Sequence, residues 1–166
     1  MSAGTVVITD ASVIINFSHA DLLKRLPELT GLSFVVTDVV YEEVRYPDQR
    51  AKLDDALKLD GWVCESITDP AAIALQAELM AVMDRGEASS LAVAVVRSCM
   101  VACDEGHVFL TQANARLGTG RVVNTPGLLL MAVKAGHLSV AEADRIKAIL
   151  ETKRFKMRFG SFADLL

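Results

Sequence analysis

No stretch of the 166-residue chain stays apolar long enough to cross a bilayer. The longest candidates, SLAVAVVRSCMVAC and PGLLLMAVKAG, are interrupted by Arg97 and Lys134, whereas a spanning helix needs about 20 consecutive apolar residues. The opening MSAGTVVITD places no basic residue ahead of its short apolar stretch, unlike a secretory leader. These absences predict a soluble cytoplasmic protein with no membrane partner. Cysteine is scarce: Cys64, Cys99 and Cys103 form an odd set without regular spacing, which argues against a disulfide framework. All three fall in segments expected to be buried. Cys99 and Cys103 have no histidine or second thiol pair beside them, and His19, His107 and His137 are scattered, so a zinc site is not indicated.

Positive charge is also in short supply. The net charge is −4, and proteins that hold nucleic acid by general electrostatics are usually basic. A polyanion would have to meet a local patch or a bound cation. The dense basic run KRFKMRF, with Lys153, Arg154, Lys156 and Arg158, reads as the solvated end of a helix. Aromatics make up only 5%, so no stacking platform for RNA bases stands out. Neither a phosphate-binding G-x-x-x-x-G-K-[ST] loop nor a serine or cysteine triad is present.

What remains is a globular composition, 52% hydrophobic and 23% charged, long enough for one domain with a real core. Short apolar strands alternate with helical patterns. Thr5–Thr9 reads as a strand, followed by a helical stripe of Val13, Ile14, Phe17, Leu22, Leu23 and Leu26 that stops near Pro27. SFVVT, WVCESI, CMVAC and RVVN read as further strands. Helices are predicted over DVVYEEVR, RAKLDDALKL, AAIALQAELMAVM (Pro70 in its first turn), DRGEASSLAVAVVRS, VFLTQANARLG, TPGLLLMAVKAGHL and SVAEADRIKAILETK. The last opens on a capping box, Ser139 with Glu142. This alternation predicts an α/β fold with a mainly parallel sheet.

In open parallel sheets, ligands bind beyond the carboxyl ends of the strands. Acids sit at such places repeatedly. Asp10 directly follows the first strand, and Asp104 directly follows CMVAC. The second strand leads into a helix carrying Glu42 and Glu43; the stripe of Tyr41 and Val44 does not decide which of them faces inward. Glu87 opens the most apolar helix and shares a stripe with Leu91 and Ala94. Each acid has a plainer reading: an N-cap for Asp10, a turn residue for Asp104, a first-turn acid for Glu87. Their coincidence is the argument. Two carboxylates 4 Å apart repel by about 4 kcal/mol at an effective dielectric of about 20, so a cluster needs protonation or a cation. Oxygen ligands without His or Cys select Mg²⁺ or Mn²⁺. The chemistry that follows is metal-assisted phosphodiester hydrolysis.

The ordered segments VVITDASVIINF, FVVTDVVYEEV, DRGEASSLAVAVV and VACDE resemble the PIN-domain ribonucleases, and among them the branch related to VapC-type toxins. The resemblance spans Thr5 to about Val133. It implies a three-layer α/β/α fold whose acids bind Mg²⁺ or Mn²⁺ and cut RNA. By motif, the catalytic acids are Asp10, Glu43, Glu87 and Asp104, with Asp10, Glu87 and Asp104 as metal ligands. Ser12 is the hydroxyl neighbour of Asp10, Glu42 the substitute for Glu43, and Arg116 the counterpart of an arginine after the fourth acid. The resemblance further implies a toxin with an antitoxin protein partner, and a homodimer. Residues 1–166 would form one PIN-like domain with a helical extension from about residue 138. Two other readings compete: a PIN-like scaffold that no longer cleaves and serves as a binding or regulatory module, and a phosphoryl-accepting domain using Asp10. The latter calls for an acid two residues after Asp10 or a lysine after a later strand, and neither Ser12 nor CDEGH supplies one.

Overall fold

A computed structural model describes residues 4–104 and 106–166. Five strands form one sheet: β1 (Val6–Thr9), β2 (Ser33–Thr37), β3 (Trp62–Glu65), β4 (Met100–Ala102) and β5 (Val122–Val123). Their order is β3-β2-β1-β4-β5, and every pairing is parallel. The helices are α1 (Ala11–His19), α2 (Leu26–Thr30), α3 (Asp38–Glu43), α4 (Pro47–Ala56), α5 (Pro70–Leu79), α6 (Arg85–Arg97), α7 (His107–Leu117), α8 (Thr125–Lys134) and α9 (Val140–Thr152).

Successive strand residues point to opposite faces, and the two faces collect different helices. Val7, Phe34, Val36, Trp62 and Ala102 pack with residues of α1, α2, α4, α8 and α9. Ile8, Val35 and Val101 pack with residues of α5, α6 and α7. The result is the expected α/β/α arrangement with a wholly parallel sheet.

Side-chain caps set several helix starts. Asp10, Thr37, Asp69, Asp84, Asn124 and Ser139 each accept a backbone N–H from the following turn, and Ser139 with Glu142 completes the predicted capping box. Pro27 does not end a helix as expected. It occupies the first turn of α2, where its missing N–H costs nothing; the break falls earlier, at Asp21, whose φ is 58°. Only Cys103 of the three cysteines is buried: Cys99 is half-buried and Cys64 is exposed. Cys64 lies on β3, an edge strand whose last three residues are exposed.

The chain after α9 also departs from expectation. The helix ends at Thr152, and Arg154 takes a left-handed φ of 67°. Phe155, Met157 and Phe159 then pack on the core while the intervening cations face solvent. Phe162 is fully buried and meets Phe159 edge-on, centroids 5.0 Å apart. Asp144 anchors this segment, accepting from Ser161 Oγ at 2.7 Å and Phe162 N at 2.9 Å. Phe162→Ala should therefore cost about 3–5 kcal/mol of stability in urea unfolding, as for a core aromatic. A loss near about 0.5 kcal/mol would mark the segment as a surface appendage.

Candidate active site

The sheet changes direction of progression at β1, which pairs with β2 on one side and β4 on the other. Helices leave these strands on opposite faces, so a crevice opens between the ends of β1 and β4. The Asp10 N–H donates to Ala102 O at 2.9 Å, continuing the β1–β4 ladder one residue past the strand. This bond carries Asp10 to the crevice floor, where only 3% of its surface is exposed.

Asp10 is both a cap and a buried acid. Its Oδ2 accepts from Ser12 Oγ at 3.0 Å, from Ser12 N at 3.5 Å and from the Cys103 thiol at 3.6 Å. Burial nevertheless pushes its pKa up; the Ser12 hydroxyl and the Ala11 and Ser12 amides oppose that rise, and the charge of Asp84 adds to it.

Of the two candidate glutamates on α3, Glu43 turns toward this crevice, and Glu42 is exposed. The Glu43 carboxylate occupies the space that a side chain at Gly86 would need: a Cβ there would overlap it. The Gly86 amide hydrogen-bonds it, but burial, Asp84 and Asp10 together raise its pKa. Asp10, Glu43 and Asp84 thus act on one another as a charge cluster. Two hydroxyls set the approach of α3 to α6. Thr37 Oγ1 lies 2.9 Å from Ser89 Oγ, which itself donates to Gly86 O at 2.8 Å.

Asp104 reaches the crevice from β4. Its N–H donates to Ser12 Oγ at 3.1 Å, so one hydroxyl joins it to Asp10. Its carboxylate is held by three donors. Thr125 N bonds Oδ1 at 2.7 Å, while Thr125 Oγ1 and Asn16 Nδ2 bond Oδ2 at 2.5 and 2.8 Å. Burial outweighs these bonds and raises the Asp104 pKa as well.

Glu87 is half-buried in the first turn of α6, its N–H taken by Asp84 Oδ1 at 2.9 Å. Arg116 lies elsewhere, paired with Glu78 at 3.0 Å on an exposed face. Glu105, the last residue of the VACDE segment, falls outside the described residues. Among the described residues, no three His, Cys, Asp or Glu side chains converge closely enough to cage a metal ion. The donor set still fits a hard divalent cation, because magnesium binds through one or two carboxylates and keeps several waters. Asp10 supplies a buried oxygen donor and Glu43 a half-buried one, and burial with the neighbouring acids outweighs the opposing charge of Arg45 at Glu43.

A family model described as a PIN domain matches residues 6–160. The chain belongs to the PIN-domain family. PIN domains are typically nucleases that use divalent metals, and the match runs through α9 to the chain's last few residues. No curated protein and no solved structure gives a match.

Three features of this PIN domain escaped the sequence reading. Asp84 was read as a helix start, without the field it exerts on Asp10 and Glu43. Asn16 is the only amide on the apolar face of α1, a signal that could have found it. Thr125 carries no comparable mark, since TPG announces only a helix beginning.

The raised acid pKa values fix the sign of a pH effect. Between the ordinary carboxylate value of 3.8 and the raised one, the folded chain holds a proton at Asp10 that the unfolded chain has released. Stability therefore falls as pH climbs through that window. Without metal, Asp10→Asn should be more stable than wild type at pH 7, with the advantage vanishing below pH 3.8. Urea midpoints across pH measure this; an Asn variant less stable at every pH would refute the repulsion.

Gly86→Ala tests the Glu43 contact. Helix propensity alone favours Ala by about 1 kcal/mol, yet the overlap with Glu43 should make the variant less stable than wild type. Adding Glu43→Ala should recover stability, with a coupling of about 1 kcal/mol or more in a double-mutant cycle.

Proposed function

We propose that this PIN domain is a metal-dependent endoribonuclease, acting as the toxin of a toxin–antitoxin pair. The observation that carries the nuclease reading is the set of acids at the switch point of the sheet, of which Asp10, Glu43 and Asp104 are held above their ordinary pKa by burial. A polyanion cannot approach such a pole by itself; it can once a cation is present.

Asp10 and Glu43 would hold the ion, Mg²⁺ or Mn²⁺, with Glu87 and Asp104 at its margin and Asp84 adding field. A bound divalent ion supplies Lewis-acid stabilisation of charge developing on a phosphodiester. The protein's part is positioning. Asn16 and Thr125 fill both lone-pair directions of Asp104 Oδ2 and one of Oδ1, leaving a single acceptor position on Oδ1. That atom is suited to take the proton of an attacking water, with its orientation fixed in advance by three donors. Ser12 ties Asp104 to Asp10, so proton acceptor and cation site keep a constant relation. The antitoxin, the homodimer and the preference for RNA rest on the resemblance to VapC-type toxins; a basic side chain of an antitoxin would satisfy the same acidic pole.

A silent binding module is favoured by one observation, the lack of a three-ligand cage among the described residues. One experiment separates the two readings. Wild type, Asp10→Asn and Asp104→Asn are incubated with a mixed RNA pool in Mn²⁺, Mg²⁺ or EDTA. We expect cleavage only with metal, reduced at least about a hundredfold in each variant. Mn²⁺ should also raise the melting temperature of wild type more than that of Asp10→Asn. Equal cutting by all three proteins would trace the activity to a contaminant, and no cutting together with no thermal response would leave the silent module.

A further inference from the structure

Beside the acids lies a cleft that the nuclease reading does not use. It has a volume of about 220 Å³ and is lined by Asp104, Leu110 of α7, Val122 and Val123 of β5, and Asn124 and Gly127 at the start of α8. We propose that this cleft is a nucleobase subsite, taking the base of a nucleotide next to the phosphodiester that is cut. The proposal rests on the nuclease reading of the neighbouring acids.

Charge decides what the cleft can hold. Among the described residues no lysine or arginine lines it, and the Asp104 carboxylate is part of its lining, so a phosphate is repelled. Asp104 is already bonded by Asn16 and Thr125, which weakens its call on a cation. A neutral, flat group with an apolar face and a polar edge matches what is left. Leu110 of α7 is 45% exposed, a large apolar side chain in the lining that is left open to water. Together with Val122 and Val123 it offers aliphatic surface for a ring face. This substitutes for the aromatic platforms usual in single-strand recognition, which this chain lacks.

The polar edge is supplied by Asn124. Its Oδ1 accepts from Gly127 N at 2.8 Å, which fixes the amide plane and leaves the NH₂ group as the donor it has to offer. Gly127 keeps the cleft open. A Cβ there would stand 3.0 Å from Val123 Cγ2 and 3.1 Å from Asn124 Oδ1, pressing on both the wall and the amide. Distance to the chemistry is short by construction, since Asp104 belongs to both the cleft and the candidate active site. A base seated here would place its own sugar–phosphate next to the acids.

Two measurements test the subsite, and only the second depends on cleavage. In the first, methyl NMR follows titration of wild type with the four ribonucleoside 5′-monophosphates and with ribose 5-phosphate, in Mg²⁺. We expect at least one nucleotide to shift the Leu110, Val122 and Val123 methyls and to bind about fivefold or more tighter than ribose 5-phosphate. Leu110→Glu, which replaces aliphatic surface with a charge, should erase that difference. In the second, an oligoribonucleotide is scanned with single abasic substitutions. Removing the base beside the cut should lower kcat/KM about tenfold, and the loss should not add to that of Leu110→Glu. Equal binding of nucleotides and ribose 5-phosphate, or a flat abasic scan in an active enzyme, overturns the subsite. Nucleotide-specific methyl shifts in a protein that cuts no RNA would uphold the cleft as a base site and overturn its place beside a cut, together with the nuclease reading.

Discussion

The arrangement depends on burying a carboxylate at the junction of two parallel strands. The Asp10–Ala102 backbone bond makes this unavoidable: the chain turns from β1 into α1 exactly where the sheet's two halves diverge, and the side chain there has nowhere to go but inward. Desolvation is the largest influence on Asp10, ahead of every hydrogen bond it receives. Burying an acid with partial compensation works against folding, and the cap that Asp10 gives α1 offsets part of that cost. On the proposed nuclease reading its presence is accounted for by chemistry, and its hydrogen-bonding neighbours by the need to keep it tolerable.

Those neighbours fall into two kinds. The charge of Asp84 adds to the cost of ionising Asp10 and Glu43, Asp10 adds to that of Glu43, and an opposite charge would relieve both. Asp104 is treated differently, with Asn16 and Thr125 bonding its carboxylate. The first group is poised to respond to a cation; the second is fixed with or without one. Ser12 couples the two by donating to Asp10 and accepting from Asp104. Such a division suits a site where one part must recruit an ion and another must hold a constant direction.

Local signals made much of the fold legible. β2 falls on Ser33–Thr37 as its β-branched run suggests, and Pro70 and the Ser139–Glu142 capping box announce α5 and α9. Cap and site proved not to be alternatives for Asp10, because a residue at the end of a parallel strand and the start of a helix occupies both positions at once. The orientation of Glu43 was not legible. α3 ends at that residue and Val44 leaves the helix with ψ of 81°, so a stripe drawn through Tyr41 and Val44 loses its meaning. What turns Glu43 inward is the missing side chain at Gly86, a contact between segments more than 40 residues apart that no local pattern reports. The tail was misread for a related reason. Its cations suggested a solvated helix end, whereas the alternating Phe155, Met157 and Phe159 pack beneath the fold.

The net charge of −4 becomes coherent when range is considered. Long-range steering of a polyanion requires a positive field over many ångströms, and this chain does not provide one. Short-range recognition has other means. A cation at the acids would act on one phosphate, and the largely apolar cleft that shares Asp104 with them would act on one base. Both contacts operate within a few ångströms and neither needs basic residues. An acidic nuclease built this way would associate slowly and select by fit, because nothing attracts the substrate until a nucleotide is already in place. The acids that make unassisted approach unfavourable are then also what confines binding to the one place where a metal ion has reversed the local sign.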